Sequence, residues 1–212
     1  MTGRADAVGI GPGRFYFVSK RLVDLVLAGL LLPVVVPVLA VCGVALWLEN
    51  PGPIFFTQQR TGRGGRRFAM YKLRTMVTNA EQLKEELRHL NELTWPDFKI
   101  TNDPRVTRVG RFLRKTSLDE LPQLFNVIRG DMSFVGPRPT SFSANTYSLW
   151  HTERLEVQPG ITGLWQISGR SDVDFDDRLR LDIQYIRQRS LWFDLKLMIL
   201  TVTAVLRSKG AY

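Results

Sequence analysis

Residues 25–48, LVLAGLLLPVVVPVLAVCGVALWL, decide the fold of this chain. The run is uncharged and apolar nearly throughout, and Pro33 and Pro37 interrupt it. Twenty-four residues of helix would be about 36 Å long, enough to cross a bilayer core of about 30 Å. The run is longer than a secretory signal and ends in Trp47-Leu48-Glu49, which lacks small residues for cleavage. It therefore predicts a membrane-embedded helix.

Two geometries for this helix stay open on the sequence alone. Basic residues flank the run on both sides, namely Arg14, Lys20 and Arg21 before it and Arg60, Arg63, Arg66 and Arg67 after it. The positive-inside rule would put both ends in the cytoplasm, which a single crossing cannot satisfy. The prolines free backbone carbonyls and favour a bend, so a hairpin could enter and leave one leaflet. The alternative is a kinked transmembrane helix, since such helices tolerate proline.

Composition narrows the classes of protein. A length of 212 residues suits one ordinary domain plus a membrane element. The net charge of +9 calls for an acidic partner, which could be nucleic acid, anionic lipid or a phosphorylated substrate. Cys42 is the only cysteine, so no intrachain disulfide or cysteine metal site is expected, in keeping with a reducing cytoplasm. His89 and His151 are too few for a histidine metal cluster.

A basic segment follows the apolar run. Between Glu49 and Glu81 there is no acidic residue, but six basic ones are present: Arg60, Arg63, Arg66, Arg67, Lys72 and Arg74. A juxtamembrane cation contributes about 1 kcal/mol near an anionic leaflet. Membrane adhesion therefore explains most of these arginines, and phosphate binding is the competing role for some of them.

The remaining pattern predicts a mainly helical α+β fold. Residues 54–57 and 68–71 are predicted to form short strands around a glycine-rich turn. Residues 78–93 favour a solvated helix. The apolar segment 191–206 is short for a span, and with Trp192 at one end it suits either an interfacial helix or a buried core helix.

We expect three parts along the chain. Residues 1–13 are glycine-rich and are predicted to be a mobile tail. Residues 14–50 form the membrane hairpin in the re-entrant interpretation. Residues 51–212 are expected to form the main domain, with interfacial helices.

The acidic pair Asp119-Glu120 is the first candidate for catalysis. It follows a basic stretch that includes Arg114, and it lies in the sequence SLDELPQLF. Ser117 with Glu120 three residues later is also the pattern of a helix capping box, which would explain both residues without any chemistry. The functional alternative is that Asp119, held at a helix N-terminus among cations, stays ionised and serves as a nucleophile or magnesium ligand.

Two glycine- and proline-rich segments carry candidate phosphate ligands. Arg138 lies between two prolines in 130–139 and has little backbone freedom. Its guanidinium suits bidentate contact with a phosphate, although an arginine that pins a loop to a carboxylate is equally compatible with the pattern. Residues 159–170 form a second glycine-rich loop, which ends in Arg170.

Taken together, six segments resemble the bacterial sugar transferase family, in family order over about residues 15–206. These segments are KRLVD at 20–24, PGPIFFTQQR at 51–60, YKLRTM at 71–76, SLDELPQLFN at 117–126, GDMSFVGPRP at 130–139 and PGITGLWQISGR at 159–170. Members of the family are monotopic phosphoglycosyl transferases, which load a sugar phosphate onto polyprenol phosphate.

The resemblance implies a fold and a location. The family has a re-entrant membrane helix, whose break corresponds here to Val36-Pro37, without the serine that some members have and with Pro33 as an addition. The resemblance implies a monotopic protein at the cytoplasmic face of the inner membrane, with a homodimer as one expected assembly and no nucleic-acid partner.

The resemblance also implies an activity and its residues. Asp119 corresponds to the family nucleophile and Glu120 to a metal ligand or base, with Mg²⁺ as the cofactor. The donor is a UDP-sugar, with UDP-glucose or UDP-galactose as our working choice, and polyprenol phosphate is the acceptor. Further matched or candidate positions are Lys72, Arg74, Arg138 and Arg170 for substrate phosphates, and Asp182 for the site or for a structural ion pair.

The physical case for this chemistry is independent of the resemblance. A carboxylate that attacks a diphosphate meets like-charge repulsion, so several cations and a magnesium ion must neutralise the phosphates. The competing hypothesis is a membrane-tethered binding or scaffold protein that uses its charge alone. It ranks lower because no helix-turn-helix, zinc or stacking-aromatic signature accompanies the arginines.

Overall fold

The computed structural model describes residues 13–92, 100–142, 149–168 and 175–206. The chain is a mainly helical α+β protein with small sheets. Arg170 and nearly all of the predicted tail lie outside the described residues. The helices are α1 (Arg14–Glu49), α2 (Ala80–Glu86), α3 (Arg108–Thr116), α4 (Gln123–Arg129), α5 (Leu164–Ser168), α6 (Phe175–Gln188) and α7 (Leu191–Leu206). The strands are β1 (Phe55–Thr61), β2 (Arg67–Leu73), β3 (Ser133–Val135) and β4 (Gly160–Thr162).

The apolar run forms one helix with both prolines inside it. Helix α1 continues through Pro33 and Pro37 and ends at Glu49, just before the helix-breaking sequence Pro51-Gly52-Pro53. By length and composition it is the one described helix that could cross a membrane, and 22% of its most apolar window is buried. The expected membrane-type helix is therefore present, whereas a break at Val36-Pro37 is not evident in the helix assignment.

One face of α1 is buried and the rest is exposed. The buried or partly buried positions recur at helical spacing: Ala28, Leu32, Val35, Leu39, Cys42 and Leu46. They belong to one apolar cluster with residues of β2, α3 and α4, such as Leu73, Leu113 and Val127. On the rest of the helix, Leu30 is 69% exposed and Val41 is 70% exposed. A surface of that kind suits lipid rather than water.

A network of polar contacts attaches the start of α1 to the rest of the protein. Asp194 of α7 accepts hydrogen bonds from Tyr16 at 2.9 Å, Lys20 at 2.8 Å and Tyr185 at 2.7 Å. Arg21 donates to the carbonyls of Val127 and Ile128 at the end of α4. Lys20 and Arg21, which the topology argument treated as free cations, are thus engaged within the protein.

Asp24 makes the third attachment in this segment. Its carboxylate accepts from the Ser133 hydroxyl at 3.1 Å and from the Phe134 amide at 3.2 Å. The segment KRLVD therefore fastens the membrane helix to β3, α4 and α7. Its conspicuous charge pattern has a structural explanation.

The two short strands predicted around a glycine-rich turn are confirmed, and they form a β-hairpin. Strands β1 and β2 are antiparallel, with Phe55 opposite Leu73 and Thr61 opposite Arg67, and a short 3₁₀ turn (Arg63–Gly65) joins them. Gly64 has φ 64° in this turn, a conformation that favours glycine. Helix α2 has no buried residue, as expected for a solvated helix, and a 3₁₀ turn (Arg88–Leu90) follows it.

Strands β3 and β4 form a second, parallel pair. Helices α6 and α7 pack around them, with Tyr185, Ile186 and Leu197 in a second apolar cluster. Helix α7 buries Leu197 but leaves Trp192 75% exposed and Ile199 56% exposed. It therefore combines the core and interfacial interpretations, one on each face.

Candidate active site

Asp119 and Glu120 lie in a 3₁₀ turn (Leu118–Glu120) between α3 and α4. The capping box predicted for Ser117 is wrong. Ser117 has φ 59°, in the left-handed region, so it terminates α3 and makes no side-chain cap, whereas an N-cap residue needs extended backbone. The following helix α4 begins only at Gln123. These two residues, called the dyad below, are therefore held by a tight turn and not by the first turn of a helix.

Glu120 is held by two cations. Lys72 Nζ lies 2.8 Å from Glu120 Oε1, and the Arg138 guanidinium contacts both carboxylate oxygens, at 2.6 Å and 3.4 Å. Burial alone would raise the pKa of Glu120, but Arg138 and Lys72 outweigh it and hold this pKa well below its usual range. Glu120 is therefore ionised and serves to bring Lys72 and Arg138 together.

Asp119 has the opposite environment. It is 8% exposed, and its nearest cation is Lys72, with 3.8 Å between Nζ and Oδ2. Across the described ranges its carboxylate accepts no hydrogen bond. Burial raises the pKa of Asp119, Lys72 opposes the rise and Glu120 adds to it. Asp119 was expected to lie at a helix N-terminus among cations, but it lies in a 3₁₀ turn, and Lys72 is the main group that favours its ionised form. What results is a desolvated carboxylate with free lone pairs beside a cation, as a nucleophile requires.

Two close contacts fix the turn relative to β2. A Cβ on Gly110 would overlap the Thr75 carbonyl, so α3 approaches the end of β2 more closely than any other residue would allow. Arg114 Nε donates to the Thr75 hydroxyl at 2.9 Å. Since α3 leads directly into the 3₁₀ turn, these contacts bring Asp119 next to Lys72 on β2.

Asn126 makes the corresponding link from α4. Its side chain accepts from the Tyr71 amide at 3.0 Å and donates to the Ala69 carbonyl at 2.7 Å, so it completes the free edge of β2. Asn126 is completely buried. Because Tyr71 directly precedes Lys72, the Asn126 side chain fixes the position of Lys72 relative to Asp119 and Glu120. Sequence reasoning included Asn126 in a motif but assigned it no role.

Arg138 is supported by two interlocked glycine-rich segments. A Cβ on Gly160 would overlap the Gly136 amide nitrogen, and a Cβ on Gly163 would overlap the Gly136 carbonyl. Gly136, Gly160 and Gly163 are therefore needed so that the two backbones can touch along β3 and β4. The loop that carries Arg138 starts from this rigid pair.

The other predicted site residues lie elsewhere. Arg74 is buried and donates to the Asn50 carbonyl at the end of α1, and it makes no described contact with the dyad. Arg170 is outside the described residues. Asp182 is buried and pairs with Arg154 at 2.7 Å, as in the structural alternative, and burial raises its pKa to about 7, against Arg154.

Sequence reasoning missed two arginines near the dyad. Arg114 is partly buried, and its charge lowers the pKa of Asp119. Arg154 contacts the Arg138 carbonyl at 2.5 Å. Arg114 stood out only as one member of a basic stretch, and no pattern around Arg154 distinguishes it from a surface arginine. Only the tertiary structure gives them a place.

The residues at the dyad fit a magnesium ion that is shared with substrate. No group of three or more potential ligand side chains occurs in the described part of the chain. Mg²⁺ commonly takes one or two carboxylates plus substrate phosphates and water, so such a cage is not required. Glu120 is occupied by cations, which leaves the Asp119 carboxylate as the available protein ligand.

Comparison with known proteins identifies what the chain is similar to. The bacterial sugar transferase family model matches residues 15–208. An undecaprenyl-phosphate galactose phosphotransferase of Salmonella typhimurium is 45% identical over an alignment of 201 residues, which covers 91% of this chain and 41% of that protein. The UDP-glucose:undecaprenyl-phosphate glucose-1-phosphate transferase of Escherichia coli is 42% identical over an alignment of 202 residues, which covers 91% of this chain and 41% of that protein.

A shorter relative matches over most of both chains. Exopolysaccharide production protein ExoY of Rhizobium meliloti is 40% identical over an alignment of 199 residues, which covers 92% of this chain and 88% of that protein. The chain thus spans less than half the length of the two transferases above.

Proposed function

The chain belongs to the bacterial sugar transferase family, and on this basis we propose that it is a phosphoglycosyl transferase. It moves a sugar-1-phosphate from a UDP-sugar to undecaprenyl phosphate or a similar polyprenol phosphate, releases UMP, and starts the synthesis of a surface polysaccharide. The observation that carries the proposal is the buried, unbonded Asp119 carboxylate beside Lys72, with Glu120 and Arg138 adjacent. The names of the related transferases supply the substrate class.

The first half-reaction forms a covalent intermediate. An Asp119 oxygen attacks the sugar-bearing phosphorus of the donor, the bond from that phosphorus to the bridging oxygen breaks, and UMP leaves with the electron pair. Lys72 and Arg138 are in position to neutralise phosphate oxygens, since Glu120 holds both of them beside Asp119. The product is an aspartyl phosphosugar.

The second half-reaction regenerates the enzyme. A phosphate oxygen of the polyprenol phosphate attacks the same phosphorus, and the bond to the Asp119 oxygen breaks. The products are a polyprenyl diphosphosugar and the free carboxylate. Because donor and acceptor use one nucleophile in turn, the scheme is ping-pong.

Magnesium is part of the proposal. The Asp119 carboxylate, with the donor diphosphate, would hold Mg²⁺. When bound, the ion supplies charge neutralisation on the phosphates. In this arrangement Glu120 orients Lys72 and Arg138, a role that its contacts favour over direct metal ligation.

We propose that the site lies at the cytoplasmic face of the membrane and that α1 enters and leaves one leaflet. Both ends of the helix support this. Arg21, near its start, donates to Val127 and Ile128, and Glu49, at its end, accepts from the Arg108 amide at 2.7 Å and the Val109 amide at 2.9 Å. Because both ends contact the part of the chain that follows α1, these contacts support a path that returns to the face of the membrane at which it entered.

Nucleotide release tests the activity. The full chain, incubated with Mg²⁺, a panel of UDP-sugars and polyprenol phosphate, should release UMP with UDP-glucose or UDP-galactose. Asp119→Asn should lower turnover by about a thousandfold or more and abolish labelling by donor sugar phosphate, because an amide is a poor nucleophile. Release of UDP would refute the reaction class, and persistent labelling of Asp119→Asn would place the nucleophile elsewhere. The charge-based binding hypothesis has no comparable observation in its favour.

A further inference from the structure

The loop that presents Arg138 is held by its own carbonyl groups. Four consecutive carbonyls each accept a hydrogen bond from a donor outside the loop. The donors are the Gly160 amide at 2.9 Å for Pro137, Arg154 at 2.5 Å for Arg138, Arg60 at 3.3 Å for Pro139, and the Thr61 amide at 2.9 Å for Thr140. Pro137 and Pro139 have no amide hydrogen of their own. The loop therefore depends on these acceptor contacts for its position.

Arg154 supplies the contact at the decisive residue. One of its terminal nitrogens donates both to the Arg138 carbonyl, at 2.5 Å, and to Asp182 Oδ2, at 2.7 Å. The side chains of Arg154 and Asp182 are 5% and 1% exposed. They are too deeply buried to touch a substrate. The Arg138 side chain is 33% exposed and contacts Glu120, so Arg138 connects this buried pair with the dyad.

We propose that Asp182 and Arg154 are positioning residues for Arg138. Asp182 orients the Arg154 guanidinium, Arg154 fixes the Arg138 backbone, and Arg138 keeps its guanidinium on Glu120, next to Asp119. This inference rests on the proposed phosphoglycosyl transfer for its kinetic consequence, but the anchoring itself is a property of the fold.

The chemistry of the buried pair favours this role over general stabilisation. A buried ion pair is a weak source of net stability, because desolvation offsets most of the attraction. Burial raises the pKa of Asp182 to about 7, with Arg154 opposing the rise, so ionising this carboxylate carries a desolvation cost. The Asp182–Arg154 contact ends on the backbone of the residue that faces the site, where a displacement of about 1 Å can cost about a hundredfold in rate.

Hydrogen exchange tests the anchoring without any substrate. In the full chain, in lipid nanodiscs, Arg154→Met and Asp182→Asn should both increase amide exchange in a peptide that covers 136–142. Arg105→Met is a matched control, because Arg105 and Asp103 form a similarly buried pair, 5% and 8% exposed and 2.7 Å apart, and the described hydrogen bonds of the Arg105 side chain go to Asp103 and to the Ala80 carbonyl. Unchanged exchange in 136–142, or an equal increase in Arg105→Met, would overturn the proposal.

A double-mutant cycle tests the consequence for catalysis. Arg154→Met should lower the rate of UMP release by about ten- to a hundredfold in the native chain, as is typical when a supporting side chain is removed. In an Arg138→Lys background, which keeps a charge and residual turnover, Arg154→Met should cost less than about threefold. Arg105→Met should have the same effect in both backgrounds. Equal losses from Arg154→Met in both would mean that Arg154 does not act through Arg138.

The two proposals fail in different ways. If the native chain releases no UMP, the proposed function is wrong, and the exchange experiment still decides whether Arg154 anchors the loop. If UMP is released and exchange increases but the cycle is additive, the anchoring is purely structural and the positioning role is refuted.

Discussion

Asp119 and Glu120 are neighbours with opposite electrostatic environments. Glu120 is engaged by two cations that lower its pKa, and Asp119 is desolvated with a raised pKa. The two carboxylates thus have different roles: Glu120 holds the cations in place, and Asp119 stays reactive. A raised pKa also makes a carboxylate a stronger base and hence a stronger nucleophile once it is ionised.

The pH profile should respond to the neighbours of Asp119 in opposite directions. The reaction needs ionised Asp119, so activity is lost as pH falls through its pKa. Lys72 lowers this pKa and Glu120 raises it. Lys72→Met should therefore move the acidic limb to higher pH, and Glu120→Gln should move it to lower pH. The maximum rate should fall by about a hundredfold or more in Lys72→Met, since a phosphate-binding cation is lost.

The measurement is the rate of Asp119 labelling by donor sugar phosphate across pH, normalised to each variant's maximum. Asp119→Asn serves as the blank. If the acidic limbs of Lys72→Met and Glu120→Gln moved in the same direction, the assignment of Asp119 as the titrating group would be wrong.

At the scale of single residues, the sequence singled out most of the charged residues that lie at the candidate site. The pattern selected Asp119, Glu120, Lys72 and Arg138, and all four lie together. It also selected Arg74, which supports the end of α1, because spacing along a strand does not reveal where a long side chain ends. The sequence did not single out Arg154, because its role depends on contacts with Arg138 and Asp182, which lie 16 and 28 positions away along the chain.

At the scale of elements, the site depends on how β2 meets α3 and α4. Arg114 of α3 donates to the Thr75 hydroxyl just after β2, the Thr107 amide at the start of α3 donates to the Thr75 carbonyl, and Asn126 of α4 bonds to the edge of β2. Sequence periodicity predicted the hairpin and several helices correctly. It could not predict the junctions, because a buried amide or a glycine at a close approach looks the same in sequence as one in a loop.

Removing the Asn126 amide should disrupt this junction. Asn126→Ala would leave the Tyr71 amide and the Ala69 carbonyl buried without partners, at a cost of about 1–3 kcal/mol for each group. We expect a lower melting temperature and a loss of turnover at temperatures where the variant is still folded, since Lys72 would be displaced. Thermal unfolding and UMP release would measure the two effects.

Gln123 provides the control on the same helix. It is 1% exposed, and its amide nitrogen makes no hydrogen bond with the described residues. Gln123→Leu should therefore cost little stability, because no cross-element bond is lost. If Asn126→Ala were no more destabilised than Gln123→Leu, the Asn126 bridge would not be what holds α4 to β2.

The turn between β1 and β2 leads to a prediction about binding to anionic lipid. The basic segment was expected to adhere to the membrane, but Arg67 donates to the carbonyls of Ser141 and Gln59, and Lys72 lies in the site. Arg63 and Arg66, at the turn, are exposed. Replacing both with alanine should weaken binding to anionic vesicles by about fivefold per residue, from about 1 kcal/mol each.

Vesicle flotation at low and high salt would measure this. Arg180 and Arg187 on α6 are suitable controls, because they are exposed but pair with Asp177 at 3.4 Å and Glu153 at 3.1 Å. Alanine at those positions should change flotation less. Equal losses would mean that net charge, and not the hairpin turn, sets the affinity.

At the scale of the whole molecule, the apolar helix and the polar body constrain one another. The start of α1 is fixed to α4, β3 and α7, and its end is fixed to α3. The sequence offered a spanning helix and a re-entrant one on nearly equal terms, because charge at both ends does not say what those charges contact. The contacts at both ends favour the re-entrant path.

Cysteine accessibility in membranes should distinguish the two paths. Cys42 is the only cysteine, so Cys42→Ser gives a cysteine-free chain, into which Phe15→Cys, Phe56→Cys or Val36→Cys is introduced. Phe15 is 82% exposed and Phe56 is 48% exposed, so either position can react. In inverted membrane vesicles, whose cytoplasmic face is outside, an impermeant maleimide should label both ends, whereas Val36→Cys should stay protected until detergent is added. In vesicles of the opposite orientation neither end should react. Labelling of Phe15→Cys in one orientation and of Phe56→Cys in the other would establish a single crossing. The re-entrant path proposed from the contacts at both ends of α1 would then be wrong.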